Sequence, residues 1–68
     1  MKELVRKNDY YFNESYEGIN GAKRVVCILD NNCVRYVKYI NNKKAGKNEY
    51  QNHEKEKCFT NATKWLNK

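Results

Sequence analysis

Residues 23–40 read KRVVCILDNNCVRYVKYI, which is the strongest local signal for secondary structure in the chain. Two runs rich in β-branched and aromatic residues flank Asp30, Asn31 and Asn32, which tolerate turn geometry. Strand-forming runs on both sides of such a cluster are typical of a β-hairpin. We therefore predict a central antiparallel hairpin over about residues 23–40.

The sequence leaves two registers open for this hairpin. A three-residue turn at 30–32 would pair Leu29 with Cys33, whereas a two-residue turn at 31–32 would pair Leu29 with Val34. A slip of one residue moves every side chain to the other face of the sheet. In either register each face carries apolar residues together with a charge, which favours a small curled sheet over one flat face on a core.

The residues before the hairpin predict one strand and one loop. The run from Leu4 to Phe12 favours a strand that is broken or bent near Asn8 and Asp9, with a helix over residues 2–8 as the competing interpretation. Residues 13–22 contain the densest cluster of Gly and Asn in the chain and therefore predict a loop.

The residues after the hairpin predict a polar loop over 41–52 and then a short edge strand over about 54–58, where charges alternate. Apolar positions at i, i+3, i+4 and i+7 predict a helix over about residues 60–67; they are Phe59, Ala62, Thr63 and Leu66. Because a helix this short is unstable by itself, we expect it to dock on the sheet. The predicted fold class is α+β, mainly β, with a small antiparallel sheet or a partly open barrel.

The net charge of +6 is concentrated on the hairpin and the residues that follow it. Residues 23–47 hold seven Lys or Arg and one acidic residue, whereas residues 1–22 sum to −1 and residues 48–68 to +1. Such a cluster can bind a phosphate backbone or an acidic protein surface, while the plainer interpretation is a solvated surface that keeps the protein soluble. The predicted partner- or nucleic-acid-binding residues are Arg24, Arg35, Lys38, Tyr39, Lys43, Lys44 and Lys47.

The residue pattern indicates neither an enzyme nor a metal or cofactor site. Sixty-eight residues make one domain, 1–68, whose core is too small for a deep substrate cleft. Three cysteines and His53 match the ligand count of a zinc site, but the C-x5-C and H-x4-C spacing lacks a tight C-x2-4-C element. We expect free thiols in a cytoplasmic protein, and no apolar run reaches the roughly 20 residues of a membrane span.

Three segments carry a resemblance to SH3-like small barrels. Residues 5–11 resemble the opening strand and turn of such barrels, although Asn8 stands where a Gly usually precedes the acidic turn residue. Residues 25–28 followed by 34–36 look like their central hairpin, and residues 58–66 are similar to the docked helix of many small phage-encoded proteins. The resemblance implies a phage or mobile-element accessory protein acting in the cytoplasm of a bacterial host cell. It transfers no functional residue.

Two functions follow as hypotheses. The preferred one is a protein that binds and inhibits a host nucleic-acid-processing defence complex, as anti-CRISPR proteins do, with a host protein or nucleoprotein complex as partner. The alternative is a module that binds nucleic acid directly through the basic segment 23–47, with the steep salt dependence that phosphate contacts produce.

Overall fold

The computed structural model describes residues 2–7, 14–30 and 32–68, which form one antiparallel sheet and one helix. The strands follow one another across the sheet in chain order, so each pairs with its neighbours in sequence. This confirms a mainly β fold with a C-terminal helix, and the described strands form an open sheet. The elements are β1 Val5–Arg6, β2 Glu14–Asn20, β3 Lys23–Leu29, β4 Cys33–Ile40, β5 Lys43–Gln51, a 3-10 turn Asn52–Glu54 and α1 Lys55–Leu66.

The predicted hairpin is confirmed as β3 and β4, and its register is the one with the two-residue turn. Leu29 pairs with Val34 across the two strands. The Asp30 carboxylate oxygen Oδ1 accepts backbone hydrogen bonds from Cys33 at 2.8 Å and Asn32 at 2.9 Å. These two N–H donors hold the pKa of Asp30 below its usual range. An acidic side chain that bonds the backbone of the turn therefore selects this register.

The loop predicted over residues 13–22 is wrong, because most of that segment is strand β2. Gly18 lies inside the strand, where a Cβ atom would come within 2.6 Å of the Leu66 side chain of α1. Asn20 donates a hydrogen bond from Nδ2 to the main-chain oxygen of Leu66 at 3.0 Å. The residues that suggested a loop are thus the ones that let the helix pack closely on this strand.

The polar loop predicted over residues 41–52 is also wrong, because it contains strand β5, Lys43–Gln51. Asn41 and Asn42 have φ angles of 53° and 66°, which is the backbone of a type I′ hairpin turn. Most side chains of β5 are exposed and polar. An edge strand of this kind carries no apolar alternation, which is why its sequence resembles a loop.

The turn between β4 and β5 supplies a prediction about stability. Replacing Asn42 by valine should lower the free energy of unfolding by about 1–2 kcal/mol, because a β-branched residue fits poorly at positive φ. Chemical denaturation followed by circular dichroism measures the change. Lys43→Val is the matched control, since Lys43 is exposed in an extended strand, and it should stay within about 0.5 kcal/mol of the parent. Equal losses in the two variants would contradict the assigned turn.

The C-terminal helix is longer than predicted and replaces the edge strand expected over residues 54–58. The buried residues of α1 are Cys58, Ala62 and Leu66, spaced i, i+4 and i+8 along one face. The charged residues before Cys58 occupy the exposed first turns of the helix, where alternating charge is compatible with helical structure. Phe59 and Trp65 flank the buried face and pack against the core as partly buried residues.

The hydrophobic core lies between α1 and one face of the central strands. Val25 and Cys27 on β3 and Val34 and Tyr36 on β4 pack against the buried face of the helix. Of the bent strand predicted over residues 4–12, residues 4–7 are described and contain β1, Val5–Arg6; positions 8–12 lie outside the described residues. Residues 2–7 contain no helix.

Candidate functional site

The sheet has two different faces. Val25 and Cys27 point toward α1, so the alternate residues of the same strand point away from the helix. We call this second side, which faces away from α1, the open face. Its cross-strand neighbours form three rows: Ile19, Arg24, Tyr39 and Lys44; Glu17, Val26, Val37 and Lys47; and Ser15, Ile28, Arg35 and Glu49.

The structure divides the seven predicted binding residues between the two faces. Five of them lie together on the open face: Arg24, Arg35, Tyr39, Lys44 and Lys47. Lys38 pairs with Val25 and therefore lies on the helix side, where its Nζ is 5.9 Å from the centre of the Trp65 ring. Lys43 pairs with Ile40 on that same side.

A β-bulge brings two of these lysines onto one face. Lys44 pairs with Tyr39 and Lys47 pairs with Val37, although in a regular strand two residues three positions apart point to opposite sides. Ala45 is the extra residue of the bulge, and it shifts the in–out alternation of β5 by one position, so that Lys44 and Lys47 point to the same side. Gly46 beside it has a φ of 150°, a backbone conformation that favours glycine. The bulge thus adds a second cation to the edge of the open face.

Arg24 is held in place by two neighbours on the open face. Its guanidinium lies 4.3 Å from the centre of the Tyr39 ring, a cation–π contact, and its Nη1 donates to Glu17 at 3.2 Å. The Nε atom is buried and has no hydrogen-bond partner among the described residues. Stacked Arg and Tyr side chains are the residue types that dominate protein–protein contact sites.

Most cations of the open face already have a carboxylate partner. Arg24 pairs with Glu17 at 3.2 Å, and Lys47 pairs with Glu49 at 3.5 Å. Arg35 contacts the Asp30 carboxylate of the turn at 3.6 Å. Within the described part of the chain, Lys44 alone of the four cations has no carboxylate within 4 Å. The open face therefore carries charges of both signs, and its net positive charge is much smaller than the net charge counted along residues 23–47.

An apolar strip crosses the centre of this mixed charge. Ile19 is 55% exposed, and Val26 and Ile28 are partly buried beside it. Val37 is 7% exposed and lies outside the core cluster that α1 covers. The sequence interpretation missed this strip because it placed Ile19 in a loop. Once β2 is recognised as a strand, the alternation in β2 and β3 identifies Ile19, Val26 and Ile28 as one surface.

The cysteines and His53 do not come together. Cys27 and Cys58 are fully buried next to each other in the core, and burial raises the pKa of both thiols. Cys33 is partly exposed at the start of β4, and His53 is exposed in the 3-10 turn. Within residues 2–7, 14–30 and 32–68, no three His, Cys, Asp or Glu side chains are placed to hold a metal ion. No helix there is long and apolar enough to cross a membrane.

Comparison of the chain with protein-family models, curated proteins and solved structures found no match. The likeness to SH3-like phage proteins accordingly stays an expectation from the sequence pattern. The function is inferred from the two faces of the sheet.

Proposed function

We propose that this protein is a non-enzymatic binding protein that docks its open face onto a protein partner. The observation that carries the proposal is the exposed Ile19 at the end of the apolar strip, next to the stacked pair Arg24 and Tyr39. Apolar residues at the centre with Arg and Tyr beside them are typical of a protein-binding surface. Lys44 and the small positive excess favour a partner whose contact surface is acidic at its border.

The preferred partner is a host complex that processes nucleic acid, inhibited in the manner of anti-CRISPR proteins. Support for this choice is the sequence resemblance to small phage-encoded proteins of SH3-like shape, in which a central hairpin is followed by a docked helix. Free thiols suit the reducing cytoplasm of a bacterial host cell, where such a complex acts.

The competing function is direct contact between the basic segment 23–47 and a phosphate backbone. Lys and Arg side chains that neutralise phosphates release the counterions condensed on the nucleic acid, and this release increases the affinity. On the open face three of the four cations have carboxylate partners, and Lys38 and Lys43 lie on the other side of the sheet. The open face therefore favours a protein partner over a nucleic acid.

A matched pair of substitutions tests the proposal. Ile19→Asp should weaken binding of a purified CRISPR effector complex from the bacterial host at least about tenfold, because it places a charge in the apolar strip. Ile40→Asp is the control, since Ile40 is 43% exposed but lies on the helix side of the sheet, and it should leave affinity within about twofold. Surface plasmon resonance with nuclease-treated complex gives both values.

Three outcomes would overturn the proposal. Equal affinities of the two variants would remove the open face as the contact surface. Loss of binding after nuclease treatment would assign the contact to nucleic acid. Absence of binding to the effector complexes of that host would remove the proposed partner.

A further inference from the structure

Four lysines that have no Asp or Glu partner among the described residues lie on the helix side of the sheet, around the single tryptophan of the chain. The Nζ atoms of Lys23 and Lys38 lie 5.3 Å and 5.9 Å from the centre of the Trp65 ring. Lys64 and Lys68 line a groove beside the same residue. Among the described residues none of these four lysines has an Asp or Glu carboxylate within 4 Å, in contrast to three of the four cations of the open face.

One of these lysines has a structural role that the others lack. The Nζ of Lys23 donates to the main-chain oxygens of Trp65 at 3.4 Å and Lys68 at 3.0 Å, where the end of α1 attracts a cation. Lys38, Lys64 and Lys68 have no such hydrogen bonds from their ammonium groups within the described residues. Three ammonium groups are thus available for an anionic ligand.

The groove itself lies between α1 and strands β4 and β5 and has a volume of about 340 Å³. That volume lies within the range of about 300–1,000 Å³ that small-ligand sites occupy. Its walls include the rings of Trp65, Tyr36 and Tyr50, and the two tyrosine rings stack with their centres 6.1 Å apart. The groove therefore offers aromatic surface next to positive charge.

Two Asn–Tyr pairs give the groove both donors and acceptors of hydrogen bonds. Asn48 donates from Nδ2 to the Tyr36 hydroxyl at 2.8 Å, and Asn61 donates from Nδ2 to the Tyr50 hydroxyl at 3.0 Å. The Tyr36 and Tyr50 hydroxyls also hydrogen-bond each other, so the pair leaves one phenol proton for a ligand acceptor. Each amide oxygen remains an acceptor for a ligand donor. Burial, followed by the neighbouring Tyr50, raises the pKa of Tyr36 to about 12, so this phenol is protonated at neutral pH.

We propose that this helix-side groove binds a nucleotide unit of single-stranded nucleic acid. Lys38, Lys64 and Lys68 contact the phosphates, and the base packs against the aromatic wall formed by Trp65 and Tyr50. The Asn–Tyr pairs hydrogen-bond the polar edge of the base. Positive charge beside aromatic rings is the combination that single-strand binding proteins use. The site is on the opposite side of the sheet from the open face and is independent of the function proposed for that face.

Titration of the intact protein with the oligonucleotides dT10 and rU10, followed by the fluorescence of Trp65, tests the proposal. We expect saturable quenching, with an affinity that falls with salt at a logarithmic slope of about −2 for three phosphate contacts. Lys64→Glu/Lys68→Glu should weaken binding at least about tenfold. Lys55→Glu/Lys57→Glu is the matched control, since it makes the same charge change at exposed positions of the first turn of α1, and it should change affinity less than about threefold.

The following results would contradict the nucleotide-binding groove or distinguish it from the protein-binding open face. Absence of quenching at 50 mM salt, or equal weakening in the two double variants, would overturn the proposal. Equal affinity for thymidine monophosphate or for duplex DNA would overturn the assignment to a single strand. Ile19→Asp should leave oligonucleotide binding unchanged, so failure of the protein-binding proposal and failure of this one give different results. Circular dichroism confirms that each variant is folded.

Discussion

Replacing Leu66 by alanine should lower the free energy of unfolding by about 2–5 kcal/mol, as is usual for a fully buried leucine. Leu66 has no exposed surface and packs over Gly18 of β2, so its removal opens a cavity between the helix and the sheet. A chain of 68 residues is expected to have only about 3–10 kcal/mol of stability in total. The variant should therefore be largely unfolded or unfold at much lower urea concentration, as measured by circular dichroism.

Two further variants make this first prediction specific. Lys55→Ala changes an exposed position of the same helix and should stay within about 0.5 kcal/mol of the parent. Gly18→Ala should be destabilising in the parent, because its Cβ would meet the side chains of Leu66 at 2.6 Å and Leu4 at 2.9 Å. It should be less destabilising in the Leu66→Ala background, where only the Leu4 contact remains. A Leu66→Ala loss below about 1 kcal/mol, or additive effects of the two substitutions, would contradict the packing of α1 on β2.

The second prediction is that the protein loses stability steadily between about pH 9 and pH 12. Burial, with Cys58 beside it, raises the pKa of the Cys27 thiol, and burial also raises that of Cys58. The pKa of Tyr36 is raised to about 12. In the unfolded chain the thiols ionise near 9.0 and the phenol near 10.0. Stability from these protonated groups is complete below about pH 9 and is lost as the pH rises toward the folded pKa values.

Urea denaturation under reducing conditions at pH 8, 9, 10 and 11 measures this loss. Cys58→Ala should flatten the pH dependence, because it removes one thiol and the neighbour that raises the pKa of Cys27. Val34→Ala is the matched control, since it weakens the same core without removing an ionisable group, and it should keep the pH dependence of the parent. Parallel curves for the parent and Cys58→Ala would show that the buried thiols do not set the alkaline limit.

The parts of the fold that could be predicted are those with strong local signals. The hairpin followed from two strand-forming runs around 30–32, and the presence of a C-terminal helix followed from apolar spacing at Ala62 and Leu66. Strand β2 was missed because Gly18 and Asn20, which suit a loop, are there to accommodate α1. Strand β5 was missed because an exposed edge strand has no apolar alternation, although the paired Asn41 and Asn42 were a usable turn signal.

The basic residues of the candidate site were predicted from the sequence, but the acidic residues that pair with them were not. Counting charges along residues 23–47 shows seven cations and one carboxylate. In the sheet, β2 brings Glu17 to Arg24, whereas Glu49 pairs with Lys47 two positions before it on β5. Both carboxylates lie outside that segment. On the open face three of the four cations are paired and Lys44 is not, while four lysines without an Asp or Glu partner surround Trp65 on the other side.

A mainly β domain around a hairpin at 23–40, with a helix at its end, can be predicted from the amino-acid pattern alone. Those features depend on side chains close together along the chain, whose periodicity can be read directly. Three further properties follow from the packing of the folded chain: which strands flank the hairpin, which face of the sheet α1 covers, and which cations have no carboxylate partner. These properties depend on contacts between residues far apart in the chain, such as Leu66 with Gly18 and Arg24 with Tyr39. Local pattern carries no information about such contacts until the strands are aligned.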